Sequence, residues 1–154
     1  MQLQTLRTFI RPFRPTDTAD LYKVLSNAEV MQFVEPAFSF EKTEAFIRDH
    51  GLCYPPSIYA LEDRASSTVL GHVIFHPYDE ESYELGWILH KAYWGKGLAS
   101  EITEALIQYA KQQKIQQLIL ECDKEQTATK RIAEKFGFRL TGLEENREIY
   151  RLIL

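Results

Sequence analysis

Two glycines one residue apart, Gly95 and Gly97, lie within Trp94-Gly95-Lys96-Gly97-Leu98-Ala99-Ser100-Glu101. The run Tyr83 to Leu89 before them reads as a strand, and the residues after them open an amphipathic helix. Glycine lets the backbone approach a ligand with no Cβ in the way. The first turn of the helix that follows has N–H groups without internal partners and carries the positive end of the helix dipole. Strand, glycine loop and helix start, in that order, make a socket for phosphate oxygens. The chemistry this predicts is the binding of a phosphate-bearing cofactor.

Glycines between a strand and a helix can also be turn chemistry alone. The helix decides for the socket: Leu98, Ile102, Ala105, Leu106, Tyr109 and Ala110 share one face, while Glu101, Glu104, Gln108 and Lys111 fall elsewhere. The common nucleotide loops do not fit. A P-loop needs Ser or Thr after its lysine, and Lys96 is followed by Gly97; a dinucleotide loop needs Gly or Ala where Ser100 stands. His50, His72, His76 and His90 show no ligand spacing, nor do Cys53 and Cys122, so no metal site is expected.

The elements that must position this loop follow from patterning. Leu6 to Phe13 reads as a first strand, closed by Pro12 and Pro15. Thr16 or Asp17 can cap a helix to about Asn27, with Leu21, Val24 and Leu25 inward. Ser39 can cap a second helix, with Ala45, Phe46 and Ile47 inward, ending near His50-Gly51. Ser57 to Glu62 and Val69 to Phe75 form a hairpin, and Tyr83 to Leu89 is the next strand. The glycine-loop helix runs to about Gln113. Leu118 to Cys122 is almost wholly apolar, as a strand buried on both faces beside a parallel neighbour would be. Thr127 or Thr129 starts a last helix, with Ala128, Ile132, Ala133 and Phe136 apolar, which Gly137 can stop in the left-handed conformation. Phe138 to Leu140 and Glu148 to Ile153 complete an α/β (α+β) domain, a mixed sheet of about seven strands covered by about four helices.

With 154 residues, 45% hydrophobic and 26% charged, the chain is expected to form one soluble domain over 1–154. A net charge of −4 gives none of the positive field that nucleic-acid binding needs. No apolar run approaches the length of a membrane span and no signal-like N-terminus precedes the domain, so a cytoplasmic home is expected. Monomer and homodimer both remain open.

Four pieces of the sequence resemble the GNAT acyltransferases, and within them the RimJ/RimL-type group of ribosomal-protein and other N-terminal acetyltransferases. They are Thr5-Leu6-Arg7-Thr8-Phe9-Ile10-Arg11-Pro12, Glu84-Leu85-Gly86-Trp87-Ile88-Leu89, the Tyr93 to Glu101 loop, and Glu134-Lys135-Phe136-Gly137-Phe138. The resemblance implies acetyl-CoA between splayed fourth and fifth strands. Trp87, Ile88 and Leu89 would offer main-chain groups to its pantetheine arm. Trp94, Gly95, Lys96, Gly97, Leu98, Ala99 and Ser100 would hold its pyrophosphate. Trp94 stands where many members carry Arg or Gln, as in the N-terminal-acetyltransferase group. Gln126 replaces a common asparagine and keeps an amide that can reach the cofactor.

Acetyl transfer to nitrogen needs a neutral amine. At pH 7 an α-amine with pKa about 7.8 is roughly 14% neutral and a lysine at about 10.4 roughly 0.04%, a gap of about 3.5 kcal/mol. Glu84 is the candidate base, although in the histone-acetylating branch the base falls at Tyr83, whose side chain must point to the other face. Thr129 is a candidate proton relay. Ala133 occupies the position at which many members carry a tyrosine acid. Asp79-Glu80-Glu81 and Glu144-Glu145 could draw a cationic acceptor toward the cleft, or form solvated turns. The expected activity is transfer of acetyl to a primary amine, a protein N-terminus or a small molecule, in a ternary complex. The alternatives are a non-catalytic acyl-CoA-binding module and a small dimerising scaffold.

Overall fold

Seven of the strands and all four helices form within about five residues of where the periodicity puts them, in a computed structural model that describes all 154 residues. The strands are Leu3–Gln4 (β1), Thr8–Arg11 (β2), Ile58–Asp63 (β3), Val69–Pro77 (β4), Ser82–Leu89 (β5), Gln117–Asp123 (β6), Arg139–Glu144 (β7) and Arg147–Ile153 (β8). The helices are Thr18–Leu25 (α1), Phe40–Phe46 (α2), Leu98–Gln112 (α3) and Thr127–Lys135 (α4). One mixed sheet holds all the strands in the order β1-β2-β3-β4-β5-β6-β8-β7.

The eighth strand lies at the start of the chain. Instead of one strand over Leu6 to Phe13, the chain doubles back, with Leu3 opposite Ile10. Thr5 closes the reversal, its N–H donating to the Thr8 carbonyl at 2.9 Å and its hydroxyl bonded to that of Thr8 at 2.7 Å. Two-residue strands carry no periodic signal, so β1 is invisible to patterning. The strand counted fourth from sequence is therefore β5.

Two further boundaries differ. Neither Thr16 nor Asp17 caps α1 through its side chain; a 3-10 turn over Pro15–Asp17 precedes it. Asp17 is recruited elsewhere, accepting from the Arg14 N–H at 2.7 Å and pairing with both Arg11 terminal nitrogens at 2.9 Å. The strand expected at Phe138 to Leu140 is β7, which begins one residue later and runs to Glu144 through a bulge between Leu140 and Gly142. It is an exposed edge strand, so the alternation that would mark its extent is missing. Ser39 does cap α2, accepting from the Lys42 N–H at 3.1 Å, and a π-helical turn over Ile47–Gly51 continues that helix.

The sheet is packed on both faces. On one, Leu98, Ile102, Leu106 and Ala110 of α3 bury against Leu85 and Leu89 of β5 and Leu118 and Leu120 of β6. On the other, Leu21, Val24 and Leu25 of α1 meet Ile58, Ala60 and Val69. Each fully buried Leu or Ile contributes about 1.5–3 kcal/mol, which fixes α3, and with it the glycine loop, against β5. No helix is long and apolar enough to cross a membrane.

One break in the sheet matters most. β5 and β6 run parallel but pair only from Ser82 with Gln117 to Glu84 with Ile119. Beyond that point β5 keeps β4 on one edge and has no strand on the other.

Candidate active site

The parting of β5 from β6 opens a cleft of about 480 Å³. Its walls come from the free edge of β5, the glycine loop, the start of α4, and the segment 29–33 that joins α1 to α2. Lys91, in the turn after β5, pairs with Glu29 at 2.7 Å and ties that segment across the mouth.

Main-chain groups of β5 supply one polar wall. The N–H of His90 donates to the Leu70 carbonyl at 2.7 Å. An antiparallel ladder alternates, so Ile88 and Gly86 turn their main-chain groups toward β4, while Trp87 and Leu89, beyond the last pair with β6, turn theirs into the gap. The expectation that Trp87, Ile88 and Leu89 all offer main-chain groups thus narrows to Trp87 and Leu89; Ile88 lines the cleft through its side chain. The Trp94 indole donates to the Leu89 carbonyl at 3.1 Å, which leaves Trp87 the freer of the two.

Two helix starts supply a positive wall. Gly95 (φ +71°) and Gly97 (φ +77°) occupy the left-handed region, where a side chain is strained. Gly97 is the N-cap of α3 and offers no capping side chain. A Cβ built on Gly95 would meet no protein atom within 4 Å, so the space above the loop is open. α4 also lacks a side-chain cap, because its N-cap residue Gln126 turns its amide oxygen to the Asp123 N–H at 2.7 Å. The first-turn residues of both helices, 98–100 and 127–129, line one cleft, where two helix dipoles make a field suited to an anion.

Of the residues singled out from sequence, Trp87, Ile88, Leu89, Trp94, Gly95, Gly97, Leu98, Ala99, Ser100, Gln126 and Thr129 line this cleft. Lys96 does not: its ammonium lies 5.8 Å from the Tyr93 ring centroid, and its carbonyl accepts from Arg7 at 2.8 Å. His90 turns Nδ1 to the Ala92 N–H.

Glu84 lies in a smaller cavity of about 90 Å³ that adjoins the cleft and shares Phe33, Trp87, Ile88, Gln126 and Thr129 with it. Tyr83 points the other way, into the α3 side, packing on Phe75 at 5.2 Å. Glu84 pairs with Nε2 of His76 at 3.1 Å, while His76 Nδ1 meets the Pro77 carbonyl at 2.8 Å. The carboxylate beside it, more than its partial burial or the carbonyl, holds the His76 imidazole above its ordinary pKa. Glu121 also lines the small cavity, held by Arg147 at 2.9 Å and by the Tyr78 hydroxyl at 2.9 Å. That hydrogen bond pushes the Tyr78 phenol up to about 12. Burial pushes the Cys122 thiol up to about 11, so it is not a nucleophile at neutral pH. Sequence reading missed His76, Tyr78, Glu121 and Arg147, since only strand register brings them together.

A model of the acetyltransferase (GNAT) domain family matches residues 7–139. The chain belongs to the GNAT acetyltransferase family. It is similar to the uncharacterized N-acetyltransferase YnaD of Bacillus subtilis (strain 168), 30% identical over 149 residues, which cover 92% of this chain and 85% of that one. Among solved structures, a GNAT-family acetyltransferase from Bacillus anthracis superposes with a TM-score of 0.90 at 26% identity, over 99% of this chain and 98% of that one. RimL, a ribosomal L7/L12 α-N-protein acetyltransferase solved with coenzyme A, superposes with a TM-score of 0.85 at 19% identity, over 100% and 98% of the two chains, and shares the fold. As a member of this family the chain is an N-acetyltransferase.

Proposed function

We propose that this GNAT member transfers acetyl from acetyl-CoA to a primary amine, with a protein or peptide α-amine as the preferred class, in the manner of RimJ/RimL-type enzymes. The observation that carries the reading is the cleft itself: two uncapped helix starts and the unpaired edge of β5 face one another across it. A linear molecule with a diphosphate at one end and amides along its length matches those surfaces. Acetyl-CoA supplies the activated thioester.

The residues then divide the work. Gly95 to Ser100 and the α3 start hold the diphosphate through main-chain N–H groups. Trp87 pairs the arm along β5, and its N–H is the donor aimed into the gap for the thioester carbonyl oxygen. Glu84, in the adjoining cavity, receives the amine proton directly or through water, with His76 beside it. Gln126 contacts the arm with its free amide nitrogen, and Thr129, which lines both cavities, relays a proton.

The preference for an α-amine follows from how little base strength is present. Glu84 is already paired with His76, and Ala133, fully buried, leaves no hydroxyl in α4 at that turn. An acceptor that is roughly 14% neutral unaided suits this site far better than a lysine at roughly 0.04%.

The test is thiol release from acetyl-CoA across peptides with free N-termini, polyamines and aminoglycosides. The expected result is release with peptides, rising with pH toward the acceptor pKa. Release confined to polyamines or aminoglycosides would overturn the acceptor class. Tight acetyl-CoA binding with no release for any amine would leave a binding module.

A further inference from the structure

Arg7 lies between β1 and β2, 89 residues before Lys96 of the glycine loop, yet it grips that loop from outside. Its N–H donates to Oε1 of Glu101 at 2.8 Å, its Nε to Oε2 of Glu101 at 2.8 Å, and its Nη1 to the Lys96 carbonyl at 2.8 Å. Its Nη2 lies 3.9 Å from where a Cβ on Gly97 would be. Arg7 is itself held, because its carbonyl accepts from the Arg64 N–H at 2.9 Å. The Thr5 and Leu6 carbonyls both accept from Nη1 of Arg64, also at 2.9 Å.

We propose that Arg7 is a positioning residue for the diphosphate-binding loop, fixing Lys96 and Gly97 against the first turn of α3. The proposal rests on the reading of the cleft as an acetyl-CoA site. Two glycines leave the loop conformationally free, and ordering it only when ligand binds would cost affinity. Lys96 sits between them, and its carbonyl is the point at which Arg7 takes hold.

Glu101 gives the contact a second purpose. A carboxylate in the first turn of α3 is attracted to the same N–H groups that the diphosphate needs. With both oxygens bound to Arg7, it is drawn away from them. An isolated ion pair at this exposure, 43% for the Arg7 side chain, would contribute almost nothing. Three hydrogen bonds from one residue, one of them from its main chain and one to a loop carbonyl, define a geometry that charge alone does not. Lysine cannot reproduce it, because an ammonium lacks the planar fork that reaches Glu101 and Lys96 together.

The test compares Arg7→Met and Arg7→Lys with the wild-type chain by amide hydrogen exchange, thermal melting and coenzyme A titration. Arg7→Met should speed exchange chiefly within 95–101 and raise the Kd for coenzyme A by about tenfold or more. Arg7→Lys should stay closer to Arg7→Met than to wild type in both readouts. Unchanged exchange in the loop, wild-type affinity in Arg7→Met, full recovery in Arg7→Lys, or faster exchange spread through β1–β3 with a collapsed Tm would each overturn the proposal. If the wild-type chain itself fails to bind coenzyme A, the reading of the cleft is what fails; the exchange data still decide whether Arg7 holds the loop.

Discussion

The Trp94 indole N–H is bonded to the carbonyl of Leu89, five residues earlier, at 3.1 Å. The ring therefore folds back onto its own strand and fastens the turn between β5 and the glycine loop. Trp94→Phe keeps the ring and removes the donor. It should lower stability by about 1 kcal/mol, the usual worth of one such bond. Coenzyme A affinity should fall less than about threefold, since the Leu89 carbonyl is released to the cleft. Thermal melting and calorimetry check both, and a large loss of affinity would mean that Trp94 contacts the ligand.

Gly97 carries the sharper expectation. At φ +77° a β-branched residue is strained by about 1–2 kcal/mol, and relieving that strain turns the loop N–H groups away from the diphosphate. Gly97→Val should remove measurable acetyl-CoA binding in calorimetry while circular dichroism stays near wild type. Unchanged affinity would refute the placement of the diphosphate.

For Glu84→Gln, kcat/KM toward a peptide α-amine should fall by about tenfold to a hundredfold, at or below the low end for a general base because the acceptor is partly neutral already. Coenzyme A affinity should not move, because Glu84 sits outside the larger cleft. A rate within twofold of wild type would make the carboxylate only a partner for His76.

His72 gives a pH signature. It is fully buried on β4, and burial depresses its imidazole to about 4 from an ordinary 6.5. Its Nδ1 has no hydrogen-bond partner. Between those values the unfolded chain binds a proton that the folded chain does not, so stability falls as pH drops through the window, by about 3 kcal/mol in all. His72→Leu should flatten this part of the stability curve. Urea melts at pH 4.5 and pH 7 compare the two chains, and an unchanged difference between them would mean that His72 is not the group responsible.

The glycine loop and the α3 stripe were legible because both are local: two glycines in the left-handed region, then a 3.6-residue repeat. The same holds for Ser39, whose cap spans three residues. What escaped was set by register and long-range contact. His76 faces Glu84 because of the way the β4–β5 hairpin pairs, and nothing within either strand announces it. Arg7 meets Glu101 across 94 residues. The orientation of Ile88 depends on which edge of β5 is hydrogen-bonded, and neither strand's own residues encode that.

Glu29 and Lys91, exposed at 63% and 49%, fasten the 29–33 segment over the cleft mouth with a link that solvent weakens to a fraction of a kcal/mol. Burial does the rest: one jamb of the doorway is seated in apolar core through Met31 and the other through Leu98 and Ile102. An entrance framed on both sides by buried side chains keeps its width when the surface ion pair opens.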